Sequence, residues 1–282
     1  MKKIVASILA AFIVGSTAHA ACEYSCVAPY DMNSKFRTVT AAVTGMNSIT
    51  ENRVESALKK EVLKIASAEE LKVDIDSFSP RDLKNGIFKS MYLNGKNIVI
   101  NDIHLSSLEL KSLCDFNYIK TTGGDTVFKE DFPMSFNMMI TPEDLNKTML
   151  HSRYQKIIDD LNTLGRNYAA GLKVSSTKVS IKNNKFYFIV GFEVPFVLRE
   201  QKIVIQADVR IRNGQIDYQN SKLVSGHFSM DLKKIDFLMK CLNPLNFSVN
   251  ILKNKDAKIT VKNVEIRDNV IFANGIVIVP KD

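Results

Sequence analysis

What this chain lacks narrows its chemistry first. It has no Cys-x-x-Cys, so neither a zinc ribbon nor a thioredoxin-type site is supported. Of its four histidines, His104, His151 and His227 lie beyond the first 20 residues. They are far apart and have no i, i+3 or i+4 partner, so no metal-ligand spacing is present. Gly-x-Ser-x-Gly is missing, as are glycine-rich phosphate loops; Gly123-Gly124 reads as a turn. Two acidic pairs, Asp159-Asp160 and Glu130-Asp131, are sequence neighbours whose side chains diverge on a helix or strand, so neither forms an acid/base dyad. No cofactor or metal is expected, and no covalent catalysis. A scattered-site enzyme acting on lipid or glycan is the third-ranked reading, and it requires a titratable group in a pocket with a shifted pKa.

Long apolar runs and linkers are also scarce. Past residue 20 no stretch is long and apolar enough to cross a bilayer as a helix. The first 20 residues read as a signal peptide: Lys2-Lys3, an apolar stretch from Ile4 to Val14, and Ala18-His19-Ala20 as the small-x-small cleavage site. The expected product is exported to the periplasm or cell envelope. Lipoprotein anchoring at Cys22 is the rival, and His19 three residues before the Cys fits a lipobox poorly. Residues 21–45 read as a leader segment. Residues 46–282 contain no Pro/Gly/Ser linker, low-complexity tract or charge block, so one domain is expected there.

Net charge is +8, falling to +6 without Lys2 and Lys3. Outside the cytoplasm the natural counter-charge is anionic lipid headgroups rather than nucleic acid. The four cysteines, Cys22, Cys26, Cys114 and Cys241, permit two disulfides. Cys22–Cys26 with Cys114–Cys241 is preferred among three pairings, and buried thiols at Cys114 and Cys241 are the competing reading.

What the chain does have is alternation. In Phe132-Pro-Met134-Ser-Phe136-Asn-Met138-Met-Ile140 every even position is large and apolar. The even positions from Phe186 to Phe196 repeat this, with Phe188 and Phe192 among them. Side chains alternate across a strand, so each run points a greasy stripe one way. A helix is expected over 48–65, from Val54, Leu58, Val62 and Ile65. Strands follow around Leu71, Val73 and Ile75, then from Ile87 to Leu93, with a turn at Asn94-Gly95. Further strands run from Ile98 to Leu113.

Thr141 as N-cap, Pro142 and Glu143-Asp144 open a second helix over about 23 residues, spanning about 35 Å. Its stripe is Leu145, Met149, Ile157, Leu161 and Leu164, widened by Leu150, Tyr154 and Ile158. Three hairpins are expected at Asn183-Asn184, Asn213-Gly214 and Asp268-Asn269, and a short helix over 231–241. The resulting class is α+β. A long, strongly twisted antiparallel sheet of meander hairpins wraps two longer helices and a short third one, around an apolar tunnel or groove.

This order, with strand running into helix at Ile140-Thr-Pro-Glu-Asp-Leu145, Gly171-Leu-Lys-Val, the hairpins, Asn243-Pro244 and a closing strand from Val270 to Gly275, resembles the LmeA family of bacterial envelope proteins over about residues 46–280. The resemblance implies a tubular lipid-binding-like fold and phospholipid binding. The expected partners are therefore a phospholipid or other acyl-chain lipid and, peripherally, a membrane surface. The expected apolar lining is Phe132, Met134, Phe136, Met138, Ile140, Met149, Ile157, Leu161, Phe186, Phe188 and Phe192. A headgroup rim would come from Lys182, Lys185, Arg210, Arg212 and Arg267 near the hairpin tips. The alternative is a structural or protein-interaction module in which the helices fill the stripes completely.

Overall fold

The structure, a computed structural model, describes residues 46–122, 125–168, 173–225, 242, 244–245 and 258–282. The expected signal and leader segments, Cys22, Cys26, Cys241, His227, Gly123-Gly124 and the expected helix over 231–241 lie outside them.

The elements run α1 (Met46–Val62), β1 (Ala66–Ser67), β2 (Glu70–Asp76), α2 (Pro80–Lys84), β3 (Ile87–Phe88), β4 (Ser90–Ile100), β5 (Ile103–Ser112), β6 (Asn117–Thr122), β7 (Asp125–Phe128) and β8 (Phe132–Ile140). Next come α3 (Pro142–Met149), α4 (Ser152–Tyr168), β9 (Lys173–Lys182), β10 (Lys185–Glu193), β11 (Gln201–Arg212) and β12 (Gln215–Ser225), then β13 (Lys258–Arg267) and β14 (Val270–Val279). Every described strand pair is antiparallel, as the α+β reading expects. The hydrogen bonds divide the strands into three sheets rather than one. Seven strands run β1-β4-β5-β8-β14-β13 with β2 also on β4; four run β12-β11-β10-β9; three run β3-β6-β7.

The register of the large sheet follows from side-chain volume. Phe136 of β8 lies between Leu110 of β5 and Gly275 of β14. The bare Cα of Gly275 leaves the space that the ring fills: a Cβ there would lie 2.8 Å from two Phe136 ring atoms and 2.1 Å from the Thr260 carbonyl oxygen. The apolar faces of both larger sheets join Leu145, Met149, Tyr154 and Ile158 of α3 and α4 in one core. Tyr154 is buried, and its hydroxyl donates to the Leu242 carbonyl at 2.5 Å.

Both helices also bond to β9, the edge of the four-stranded sheet. The Asn146 amide donates to Val179 O (3.0 Å) and accepts from Val179 N–H (2.8 Å). Asn162 does the same with Val174, at 3.0 and 2.7 Å. At the other end, Glu55 accepts from Ile75 N–H (2.8 Å), and Glu51 accepts from the Ser77 N–H and hydroxyl, holding α1 to the β2 edge.

Several expectations change. The Asn94-Gly95 turn is absent because β4 runs through it. Gly95 pairs with Leu71 and Leu108, and the Ile98 side chain packs over its bare Cα. The chain reverses instead at Asn101-Asp102, both at positive φ. The single 23-residue helix is divided. Leu150 and His151 donate back three residues to the Lys147 and Thr148 carbonyls, tightening the end of α3. The Gln155 amide then donates to the Met149 carbonyl (2.6 Å), satisfying that end as α4 begins. Leu150 is consequently 76% exposed rather than part of the stripe. Helix α2 was not anticipated, although Ser79 accepts from Asp82 N–H and Pro80 starts the first turn, an ordinary start signal. The second apolar stripe ends at Glu193, and Phe196 lies beyond the strand. The three hairpin turns fall where expected, all with left-handed residues.

Gly275→Ala should destabilise the fold by about 3 kcal/mol or more, since the new methyl meets backbone on one side and a packed ring on the other. Asn274→Ala beside it should stay within about 0.5 kcal/mol. Chemical denaturation of both variants measures the difference.

Candidate functional site

A groove of about 990 Å3 lies between α1 and the α2–β3–β6 region. Its floor is apolar: Ile75, Leu83, Ile87, Phe88, Met91 and Ile119, all buried. Val54, Ala57 and Leu58 of α1 face the groove, spaced at i, i+3 and i+4 on one side of the helix. Gly86 makes the opposite wall. Its φ is +84°, its carbonyl accepts from Ile119 N–H at 2.8 Å, and a Cβ there would sit 1.8 Å from the Ile119 carbonyl oxygen. Only glycine allows α2 to press this closely on β6.

Four bases line the same groove: Arg53 on α1, Arg81 and Lys84 one turn apart on α2, and Lys120 on β6. No Asp or Glu is among the lining residues described. An apolar floor whose described charged lining residues are all bases suits an amphiphile with an anionic head.

The expected lining lies elsewhere. Phe132, Met134, Phe136, Ile140, Met149, Phe186, Phe188 and Phe192 are buried, and Met138, Ile157 and Leu161 are partly buried. All belong to the packed core, and none lines the groove. One link exists: the Phe132 ring meets Phe88 edge-on at 6.0 Å, so the β8 stripe backs the groove floor at that point.

The hairpin tips partly converge. Asn184 and Asn269 exchange backbone-to-side-chain hydrogen bonds at 3.4 and 3.3 Å, and the Gly214 carbonyl accepts from Val261 N–H at 2.9 Å. The expected rim bases Lys182, Lys185, Arg210, Arg212 and Arg267 are all exposed. Three have acidic partners: Lys185 with Asp208 (2.9 Å), Arg212 with Asp217 (3.9 Å), and Arg267 with Glu265 (3.7 Å) and Asp268 (4.0 Å). Arg267 also lies over the Phe272 ring at 4.8 Å. Cys114 is disulfide-bonded, to a cysteine outside the described residues.

A second constellation leaves no local spacing pattern because its two histidines are 47 residues apart. His104 of β5 and His151 between α3 and α4 bring their Nε2 atoms to 3.2 Å. His151 Nδ1 lies 3.2 Å from Asp102 Oδ1 in the β4–β5 turn. A proton on His151 Nδ1 would face the Asp102 carboxylate, and the direction of the Nε2–Nε2 hydrogen bond depends on the tautomers of the two rings. A depression of about 250 Å3 is lined by His104, Lys147, Leu150 and His151. Burial lowers the His104 pKa, and His151 and Lys147 lower it further, against opposing pulls from Asp144 and Asp102. The chain Asp102–His151–His104 can relay a proton. Among the described residues, no three His, Cys, Asp or Glu converge on a metal position.

No family model, curated protein or solved structure matches the chain. The LmeA resemblance therefore rests on the sequence pattern alone.

The His104 environment has a pH signature. Its pKa is lowered on folding, so between that value and the ordinary imidazole value of about 6.5 the unfolded chain binds more protons. This contribution is complete above the ordinary value and is lost as pH falls toward the lowered one. His104→Gln, which keeps a donor toward His151, should lose less thermal stability on acidification through that window than the unaltered protein. Melting curves over a pH series test this, and equal slopes would refute it.

Proposed function

We propose that the protein binds a phospholipid or another anionic acyl-chain lipid for carriage or presentation at the cell envelope, without covalent chemistry. The observation that carries this reading is the groove, where four bases surround an apolar floor and no carboxylate joins the described lining. Its volume is at the upper end of ordinary ligand pockets, about 300–1,000 Å3. Each acyl methylene taken out of water contributes about 0.8 kcal/mol, so the tail needs no specific polar contact. The headgroup would meet Arg53, Arg81, Lys84 and Lys120. Export and a peripheral membrane partner are part of the same proposal, and the resemblance to envelope phospholipid binders agrees with it.

A second reading has its own support. The β8 and β10 stripes are packed shut, as an interaction module with a filled core requires.

Native mass spectrometry of protein purified without detergent separates the two readings. Lipid should co-purify, and Ala57→Trp, which fills the groove from the α1 side, should abolish it. Arg81→Glu with Lys84→Glu should reduce uptake of phosphatidylglycerol by roughly thirtyfold or more, on the scale of about 1 kcal/mol for each base removed. Double reversal at Arg210 and Arg212 on the hairpins should leave uptake unchanged. A protein free of lipid, and still free after incubation with mixed vesicles, would favour the filled-core module.

A further inference from the structure

We propose that the loop between β10 and β11 is a membrane-docking tip, with Phe196 and Leu198 inserting into the interface of an anionic bilayer. This rests on the reading that a membrane surface is the partner, but it uses residues separate from the groove.

The loop exposes what a fold normally hides. Phe196 is 106% exposed and Leu198 105%, with Val197 at 45%. The local backbone sharpens the point. Val197 N–H donates to the Val194 carbonyl at 3.1 Å, closing a turn with Pro195 second and Phe196 third. Phe196 has φ +67°. A turn with proline second and positive φ third favours glycine or asparagine at that place. Phenylalanine there adds backbone strain and leaves a whole ring in water, and both oppose stability. Folding alone would select glycine, so the ring acts on something outside the fold.

The tip is also firmly presented. The Glu200 carboxylate accepts from the Ser175 and Ser176 hydroxyls of β9 at 2.7 and 2.6 Å, and pairs with Lys202 at 3.1 Å. Those donors hold its pKa down to about 2. Gly191 of β10 makes the room, since a Cβ there would lie 2.1 Å from Glu200 Oε1. The apolar residues thus project from a base pinned to two strands.

Charge and area select the partner. Lys202 pairs with Glu200, and Lys173 with Glu193, so these cancel locally. Arg199, exposed beside Leu198, has no carboxylate within ion-pair distance among the described residues. A base behind an apolar tip matches anionic headgroups above acyl chains. A stable protein interface buries about 800 Å2 on each partner, and three side chains on a loop tip offer well under that.

The chain has no tryptophan, so Phe196→Trp gives a single reporter at the tip. With vesicles of equal parts phosphatidylglycerol and phosphatidylcholine, its emission should shift blue and be quenched by bromine-labelled lipid. The shift should weaken with phosphatidylcholine alone. The double variant Phe196→Gly/Leu198→Ser should lose vesicle co-sedimentation by roughly tenfold or more, while its melting temperature stays equal or rises as the strained turn relaxes. Its co-purifying lipid should not change, which keeps the groove reading separate. Emission unmoved by either vesicle, or co-sedimentation equal in the double variant and the unaltered protein, would overturn the proposal.

Discussion

Open sheet edges are the constraint on which this architecture depends. Every edge strand carries a row of N–H and C=O groups that must find partners or meet water. This chain meets part of that demand with helix side chains. Asn146 and Asn162 each offer β9 a donor and an acceptor, as a neighbouring strand would. The break between α3 and α4 follows from this pairing. The two asparagines are 16 residues apart, and their partners Val179 and Val174 are five apart along the strand. Sixteen residues of straight helix rise about 24 Å, whereas five of strand cover about 17 Å. A continuous helix would carry one amide past its partner, and the bend at Leu150-His151 shortens the path.

The same device at β2 creates the groove. Glu51 and Glu55 direct their carboxylates at the β2 edge, which fixes the line of α1. Gly86 draws the end of α2 onto β6. Between these two anchored walls lie the buried floor residues, with Val54 and Leu58 of α1 packed against the same core. The groove is therefore a consequence of where α1 and α2 are tied. The acids that tie α1 are already engaged with backbone donors, and this leaves Arg53 as the charge that α1 presents to the groove.

Period-two alternation made the strands legible. The faces of β8 and β10 could be read because apolar residues recur at every second position, and the three hairpins because Asn-Asn, Asn-Gly and Asp-Asn tolerate positive φ. Thr141-Pro142 marked a helix start by its capping chemistry. Alternation cannot tell a filled face from an open one, however. Phe186 and Met91 look alike in sequence, yet Phe186 is packed in the four-stranded sheet and Met91 floors a groove. The distinction depends on which layer lies opposite, and that layer comes from remote segments. Asn94-Gly95 misled for a related reason. A glycine needed for turning and one needed as packing space for Ile98 read the same way. His104 and His151 meet only because β5 and the α3–α4 joint are neighbours in space.

Where the positive charge lies decides what it can do. Surface ion pairs contribute little to stability, but they do cancel the local field. At the hairpin tips Lys185, Arg212 and Arg267 have acids within about 4 Å. Asp208 is bound there by Asn220 and Lys185, which hold its carboxyl below the usual range and so keep it charged beside Arg210. The tips are consequently mixed in sign. The groove differs: Arg53, Arg81, Lys84 and Lys120 line it without a described acid, and their field crosses an apolar floor that water solvates poorly. An anion entering there meets bases with no described acid among the lining, whereas acids offset three of the bases at the hairpin tips. The basic excess visible in the composition thus becomes a directed field where apolar surface and bases coincide.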